Sequence, residues 1–566
     1  MVTSFLIMIY ITLICWGWGS GISVLLKTTT LFSKMPGRGL PVYCMLGLSG
    51  VMVAGNLLSY VAPLDHWLTH LLLALAALPG ILLQLKEKPV IRFASGSRAT
   101  NFLLAAGGLV LLLLLLQYHS HSVVHPDTLG YHAQLIRWIE SHAQVPGIAN
   151  LDTRFGLQSN WFVGCAIFSF RFSGIHALTF LNLAVLSWFV IFLLLKIRVL
   201  ALSPAPRYAT LFICLLLLAT TFINHTQVRL TANSASPDFI AAIFILLVFY
   251  LSYRVSIPDY RQLVPVLLLF IMTTVTIKFS TVPLLVLPLL MLVAQRFKAL
   301  RETWIWGLVF TLLVLLPALG RNYIASGYPL YPSRALAVGN PDWRVLPERA
   351  DYVFAYVAAY ARMKSSDNAE EIFRIAHAPV EYWLPVWWQQ RTGADRFLLV
   401  ALLALVAGTI ILSVLRKKIR DNLWRDRVLI VTLLICLIFW FCLGPDPRFG
   451  YGFLLALSGL LLKNILDYYP LHPRVSKQIV SATAIACFLL LLAFTGYRFQ
   501  QHYEDGQWLV PVGVKEVPFH AGKNGIATPD DEPCSCAGTP VPCGCNPESV
   551  QPRGKTPADG FRARAQ

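Results

Sequence analysis

The sequence predicts an all-α polytopic membrane protein, and three observations carry that prediction. Apolar residues make up 56% of the 566 positions and charged residues only 13%, with a mean hydropathy of +0.63. A water-facing surface of ordinary polarity cannot be built from that composition. The apolar residues also fall in runs near the roughly 20 residues that a membrane-crossing helix needs. Finally, the net charge of +18 concentrates in one set of short loops. That pattern reports anchoring at the inner side of a membrane, not a nucleic-acid partner.

Taken in order, fourteen strongly apolar stretches lie near 4–26, 40–62, 67–85, 101–117, 176–196, 207–224, 238–253, 262–277, 280–295, 303–320, 396–415, 428–443, 452–466 and 479–497. A fifteenth, 161–172, is too short to cross and predicts an interfacial or re-entrant helix. If each of the fourteen crosses, alternate short loops hold 24 of the 46 Lys and Arg residues, among them Lys196, Arg254, Arg425 and Lys463. The opposite short loops hold few. The positive-inside rule then puts both termini outside. The first residues lack a basic leader segment, so a cleaved signal peptide is not expected.

Three outer segments are long: 118–160, 321–395 and 498–566. Loops of that length usually carry function, so any chemistry is expected on the outer face. In the first, Leu129, His132, Ile136 and Ile139 recur at helical spacing. They predict an amphipathic helix over 128–142 lying along the interface, ended by Pro146-Gly147. Asp127 stands at its start. Asp238, after Pro237, opens the seventh stretch. Each acid reads either as a helix cap or, with both on one face, as a pair sharing a metal or holding an acceptor hydroxyl.

Five of the thirteen histidines fall in the first outer loop. His125 and His132 are the candidate ligands of a divalent ion (Mg, Mn or Zn), although no strict ligand spacing is present; the alternative is imidazoles with their polar tips in water. Lys278, between two apolar runs, is either a functional cation at membrane depth or a side chain reaching the headgroups. Arg321 in RNYIASGYPLYP and Arg448 in GPDPRFGYG suit a phosphate or a lipid headgroup.

This order of features resembles the GT-C glycosyltransferases, specifically the lipid-linked-sugar branch that includes aminoarabinose transferases and protein mannosyltransferases. The order is an outer-loop Asp opening a helix, a short apolar stretch, an Asp-started span, a Lys between spans, a long outer loop and an Arg-aromatic-Tyr motif. The likeness covers roughly 101–566. It implies a GT-C-like core at 101–497, three additional N-terminal helices in 1–100, and an outer C-terminal module at 498–566. It further implies a polyprenyl-phosphate sugar donor, membrane lipids around the chain and a lipid, glycan or protein acceptor. Asp127 and Asp238 match the family's catalytic acids. Lys278 matches a lysine of the lipid A branch, and Arg448 with Tyr451 matches an RY-like motif; with Arg321 these would hold the donor phosphate. The chain departs from the pattern at Thr128, where a second acid often stands, and in the loop's histidines. Segments such as HPDTLGYHAQLIRWIE and PDPRFGYGFLL are also similar to a group of bacterial membrane proteins without assigned function. Two other readings are an O-antigen polymerase or ligase, which would use arginines in 321–395, and a lipid or sugar transporter.

The tail carries Cys534, Cys536, Cys543 and Cys545 in two CxC pairs. An outward location favours disulfides over zinc, and four cysteines allow three pairings. The remaining seven lie in or beside apolar stretches and read as small hydrophobes.

Overall fold

The computed structural model describes residues 2–33, 35, 39–86, 98–175, 178–201, 203, 207–223, 230–254, 260–363, 368–415, 423–468, 472–505, 514, 517–522, 524–530 and 536–564. Ten helices among them are long and apolar enough to cross a membrane, the architecture of a multi-pass, almost wholly α-helical protein. Each of the fourteen apolar stretches contains a helix. The ninth differs in form. It is a 3₁₀ turn, Phe279–Leu285, followed by a nine-residue helix, Val286–Ala294, because Pro283 cannot donate to a regular α-helical ladder.

Helices that are apolar all round sort by what surrounds them. In Tyr260–Ile277 89% of the membrane-length window is buried, which makes it a central element; in Gly393–Val414 6% is, and Leu403, Ile410 and Ile411 are exposed. The N-terminal helices cross closely. A Cβ on Gly19 would lie 1.8 Å from the Tyr43 carbonyl oxygen, and one on Gly47 1.7 Å from that of Cys15. Only glycine permits such backbone approach, the usual device for packing helices in lipid. These helices are tied into the rest of the bundle. Trp188 Nε1 donates to Thr12 Oγ1 at 2.9 Å, and His119 Nδ1 meets Ser4 Oγ at 3.1 Å.

Two outer-loop expectations are corrected in form. The 128–142 segment becomes a π turn, Thr128–His132, and a helix, Ala133–Ser141, whose residues 133–140 are all buried. Its polar face is covered by the C-terminal module. Gln134 Nε2 donates to the carbonyls of Cys536 at 2.7 Å and Thr539 at 3.1 Å, and Arg137 also donates to Thr539. The short apolar stretch forms Asn160–Ile167, buried throughout; its Val163 and Ile167 pack against Gly55 of helix Leu40–Leu58.

The C-terminal module is loop-rich. Phe519–Ala521 pairs antiparallel with Ala527–Pro529, and Val550–Pro552 with Phe561–Ala563. Cys536 and Cys543 form a disulfide and Cys545 is also disulfide-bonded; Cys534 lies outside the described residues. The module docks through the Phe561 N–H, which donates to Pro146 at 2.9 Å, and through Arg553, which meets Asp342 at 2.9 Å.

Candidate functional site

Lys278 interrupts the chain between Tyr260–Ile277 and the 3₁₀ turn, in extended conformation with φ −149°. Ser159 Oγ donates to the Ile277 carbonyl at 2.7 Å and helps hold that break in place. The Lys278 ammonium does not reach for headgroups. It donates to the carboxylate of Asp238, the first residue of helix Asp238–Arg254, and lies 3.6 Å from the centre of the Phe449 ring. Ser236 Oγ accepts the Asp238 N–H at 3.4 Å, so a serine occupies the capping position. A buried hydrogen-bond chain fixes this corner: Trp161 Nε1 donates to Asn182 Oδ1 at 3.0 Å, and Asn182 Nδ2 donates to the Ser236 carbonyl at 2.9 Å.

Asp127 stands at the start of the π turn, but its side chain makes no capping hydrogen bond. Its carboxylate, 43% exposed, faces the Arg448 guanidinium at 3.8 Å. A π turn inside a helix is a form that recurs at functional sites. Arg448 begins helix Pro447–Tyr468 together with Asp446, whose carboxylate accepts the Arg448 N–H at 2.9 Å and its guanidinium at 3.3 Å. Two indoles hold the turn: Trp387 Nε1 donates to Pro445 and Trp440 Nε1 to Asp446, each at 2.8 Å.

His125 joins the two halves. Its imidazole interacts electrostatically with Asp127, Asp238, Arg448 and Lys278 together. Burial pushes its pKa below the ordinary value; the two acids oppose that shift, and Arg448 and Lys278 reinforce it. The Thr128 backbone N–H donates to His125 Nδ1 at 3.2 Å, so the neutral ring carries its proton on Nε2. Thr128 Oγ1 accepts the Ala235 N–H at 3.3 Å and meets His132 Nδ1 at 3.3 Å. Burial pushes His132 well down, with His125 adding.

The structure therefore brings Asp127, Asp238, Lys278, Arg448, His125 and His132 to one end of the bundle. The other two phosphate candidates have partners of their own. Arg321 is buried at 2% exposure and donates to Asn56 Oδ1 at 3.0 Å and to Ser59. The Tyr451 hydroxyl donates to the Asp395 carboxylate. Asp446 escapes the sequence reading, in which Thr128 figures only as a departure from the family pattern and Phe449 only as the aromatic of the Arg-aromatic-Tyr motif. Asp446 carried a signal, since it stands two residues before Arg448 in PDPR.

Among the described residues no group of three or more His, Cys, Asp or Glu side chains is placed to hold a metal ion. The donor chemistry agrees, because Asp238, Asp446 and Asp127 each face a cation and His125 Nδ1 is occupied by an N–H.

The fold and site thus define a class: a polytopic membrane protein with an acid–cation cluster at one end of its helix bundle. The chain belongs to the family described as "Domain of unknown function (DUF8201)", whose profile matches residues 1–455. The match takes in the N-terminal helices and ends within helix Pro447–Tyr468. No curated protein and no solved structure matches the chain.

Proposed function

We propose that the protein is a membrane glycosyltransferase of GT-C type, moving a sugar from a polyprenyl-phosphate donor to a lipid, glycan or protein acceptor. In this reading fourteen helices cross the bacterial inner membrane and both termini are outside. The single observation that carries the reading is the convergence of two acids and two cations around one neutral imidazole.

The charges suggest how the parts would work. With His125 neutral, three carboxylates face two cations, and the excess negative charge rests on the exposed Asp127. An incoming phosphate competes for Arg448, whose contact with Asp127 is the loosest of the set at 3.8 Å. Donor binding would then free Asp127 to take the proton of the acceptor hydroxyl. The acceptor oxygen bonds to the anomeric carbon as the sugar–phosphate bond breaks, and the departing phosphate keeps the electron pair. Arg448, still aligned by Asp446, and Lys278 stabilise that charge.

Three of the arginines that a polymerase or ligase reading needs are already engaged: Arg334 with Asp351 at 2.8 Å, Arg374 with Glu371 at 3.6 Å, and Arg362 with the Ala376 and Cys442 carbonyls. The test is transfer from a polyprenyl-phosphate sugar by the full chain in liposomes. Asp127→Ala and Asp238→Ala should abolish transfer while the protein still inserts. Full activity in both variants would refute the assignment. Dependence on the 321–395 arginines with Asp127 dispensable would favour a polymerase or ligase, and uptake without covalent product a transporter.

A further inference from the structure

Helix Asp238–Arg254 has the acid–cation cluster at its first residue and a second cationic centre at its last. At 1.5 Å per residue the two ends are about 24 Å apart, so this second centre is separate from the first. Here Lys196 Nζ and Arg254 Nη1 both donate to the Tyr250 hydroxyl, each at 3.4 Å. Two positive charges thus share one neutral oxygen and lie within twice that distance of each other. Tyr250 is held by the Phe192 ring, edge-on at 5.0 Å. Lys196 is 8% exposed whereas Arg254 is exposed, so the centre runs from the helix packing to the surface. Arg207, a third cation, also interacts electrostatically with Lys196.

Two neighbouring cations are neutralised. Lys463 is paired with Asp467, and Arg425 with Asp426 at 3.8 Å. Among the described residues no carboxylate pairs with Lys196 or Arg254. Among the described residues the buried Lys196 ammonium has a phenol as its one hydrogen-bond partner, which is costly unless an anion meets it. A tetrahedral phosphate satisfies the geometry, since it can accept from Lys196 and from the planar fork of Arg254 at once.

We propose that Lys196 and Arg254, gathered on Tyr250, form a binding site for a phosphate group, supplied by an anionic lipid headgroup or by a soluble phosphate. The site is independent of the glycosyltransferase reading. Its test uses the purified full chain in detergent and follows the unfolding midpoint. The probes are phosphatidylglycerol, phosphatidylcholine and inorganic phosphate. Phosphatidylglycerol should stabilise the wild type where phosphatidylcholine does not. The concentration needed should rise roughly fivefold for each cation removed, in Arg254→Gln and in Lys196→Met. Arg254 is exposed, so its variant folds and keeps the test decisive. Stabilisation by inorganic phosphate equal to that by the lipid, lost in the same variants, supports the site and assigns it a soluble ligand. Failure of both probes on the wild type overturns the proposal. So does an unchanged response in the two variants, or an equal loss in Lys463→Met, which would reduce the effect to general surface charge.

Discussion

Lys278 and Asp238 form an interhelical ion pair in which both side chains are largely buried, at 16% and 10% exposure. Neither residue serves the local role its position suggests: the lysine does not reach for lipid, and the aspartate leaves capping to Ser236. Breaking such a pair from one side strands a buried charge, whereas removing both charges does not. Lys278→Met should therefore cost about 3 kcal/mol and lower the melting temperature. Asp238→Asn combined with Lys278→Met should recover most of that loss. Transfer activity should stay absent in the double variant, which separates the pair's structural part from its chemical one. A double variant no more stable than the single would show that the ion pair is not what couples these helices.

Asp127 presents the opposite case. Its carboxylate is 43% exposed, makes no capping bond, and has only a 3.8 Å contact with Arg448. Exposed pairs contribute at most about 1 kcal/mol. Asp127→Asn should leave the melting temperature nearly unchanged while abolishing transfer. A clear fall in stability with activity retained would return Asp127 to the role of a helix cap.

Arg321 is predicted to matter for folding, not for the donor. Its guanidinium satisfies Asn56 and Ser59 of the second N-terminal helix region, 265 and 262 residues earlier. Arg321→Gln leaves those buried acceptors short of donors, at a cost of about 2 kcal/mol. Thermal unfolding should register that loss, and the KM for the donor in the surviving protein should match the wild type. A raised KM at unchanged stability would instead place Arg321 on the substrate.

How much of this was legible follows from distance along the chain. Helices are written in runs of apolar residues, and a lone Asp or Lys inside such runs is conspicuous, so Asp127, Asp238, Lys278 and Arg448 stood out. What covers a surface is not written locally. Helix Ala133–Ser141 has the polar face of an interfacial helix, yet Gln134 finds its acceptors 402 and 405 residues downstream. Arg321 has the same character, an arginine at an apparent membrane edge whose partners come from a distant helix. Asp446 was missed for another reason. Between two prolines it reads as turn chemistry, and only the folded geometry shows it aligning Arg448.

The same covered helix supplies a pH dependence. Glu140 lies at its buried end with 5% exposure, and Arg171 is 3.6 Å away. Burial raises its pKa from 4.5 to about 7, outweighing the opposing Ser169 and Arg171. The folded state thus holds this proton more tightly than the unfolded chain does. For a raised pKa the associated stability is fully present below the unfolded value and is lost as pH climbs through the folded one. Between pH 4.5 and pH 7 the protein should lose on the order of 3 kcal/mol from this group. Glu140→Gln keeps a neutral side chain of the same shape and should flatten that slope, so its melting temperature should exceed the wild type's at pH 8 and match it near pH 4.5. Parallel curves for the two proteins across this range would show that Glu140 is charged throughout, held by Arg171.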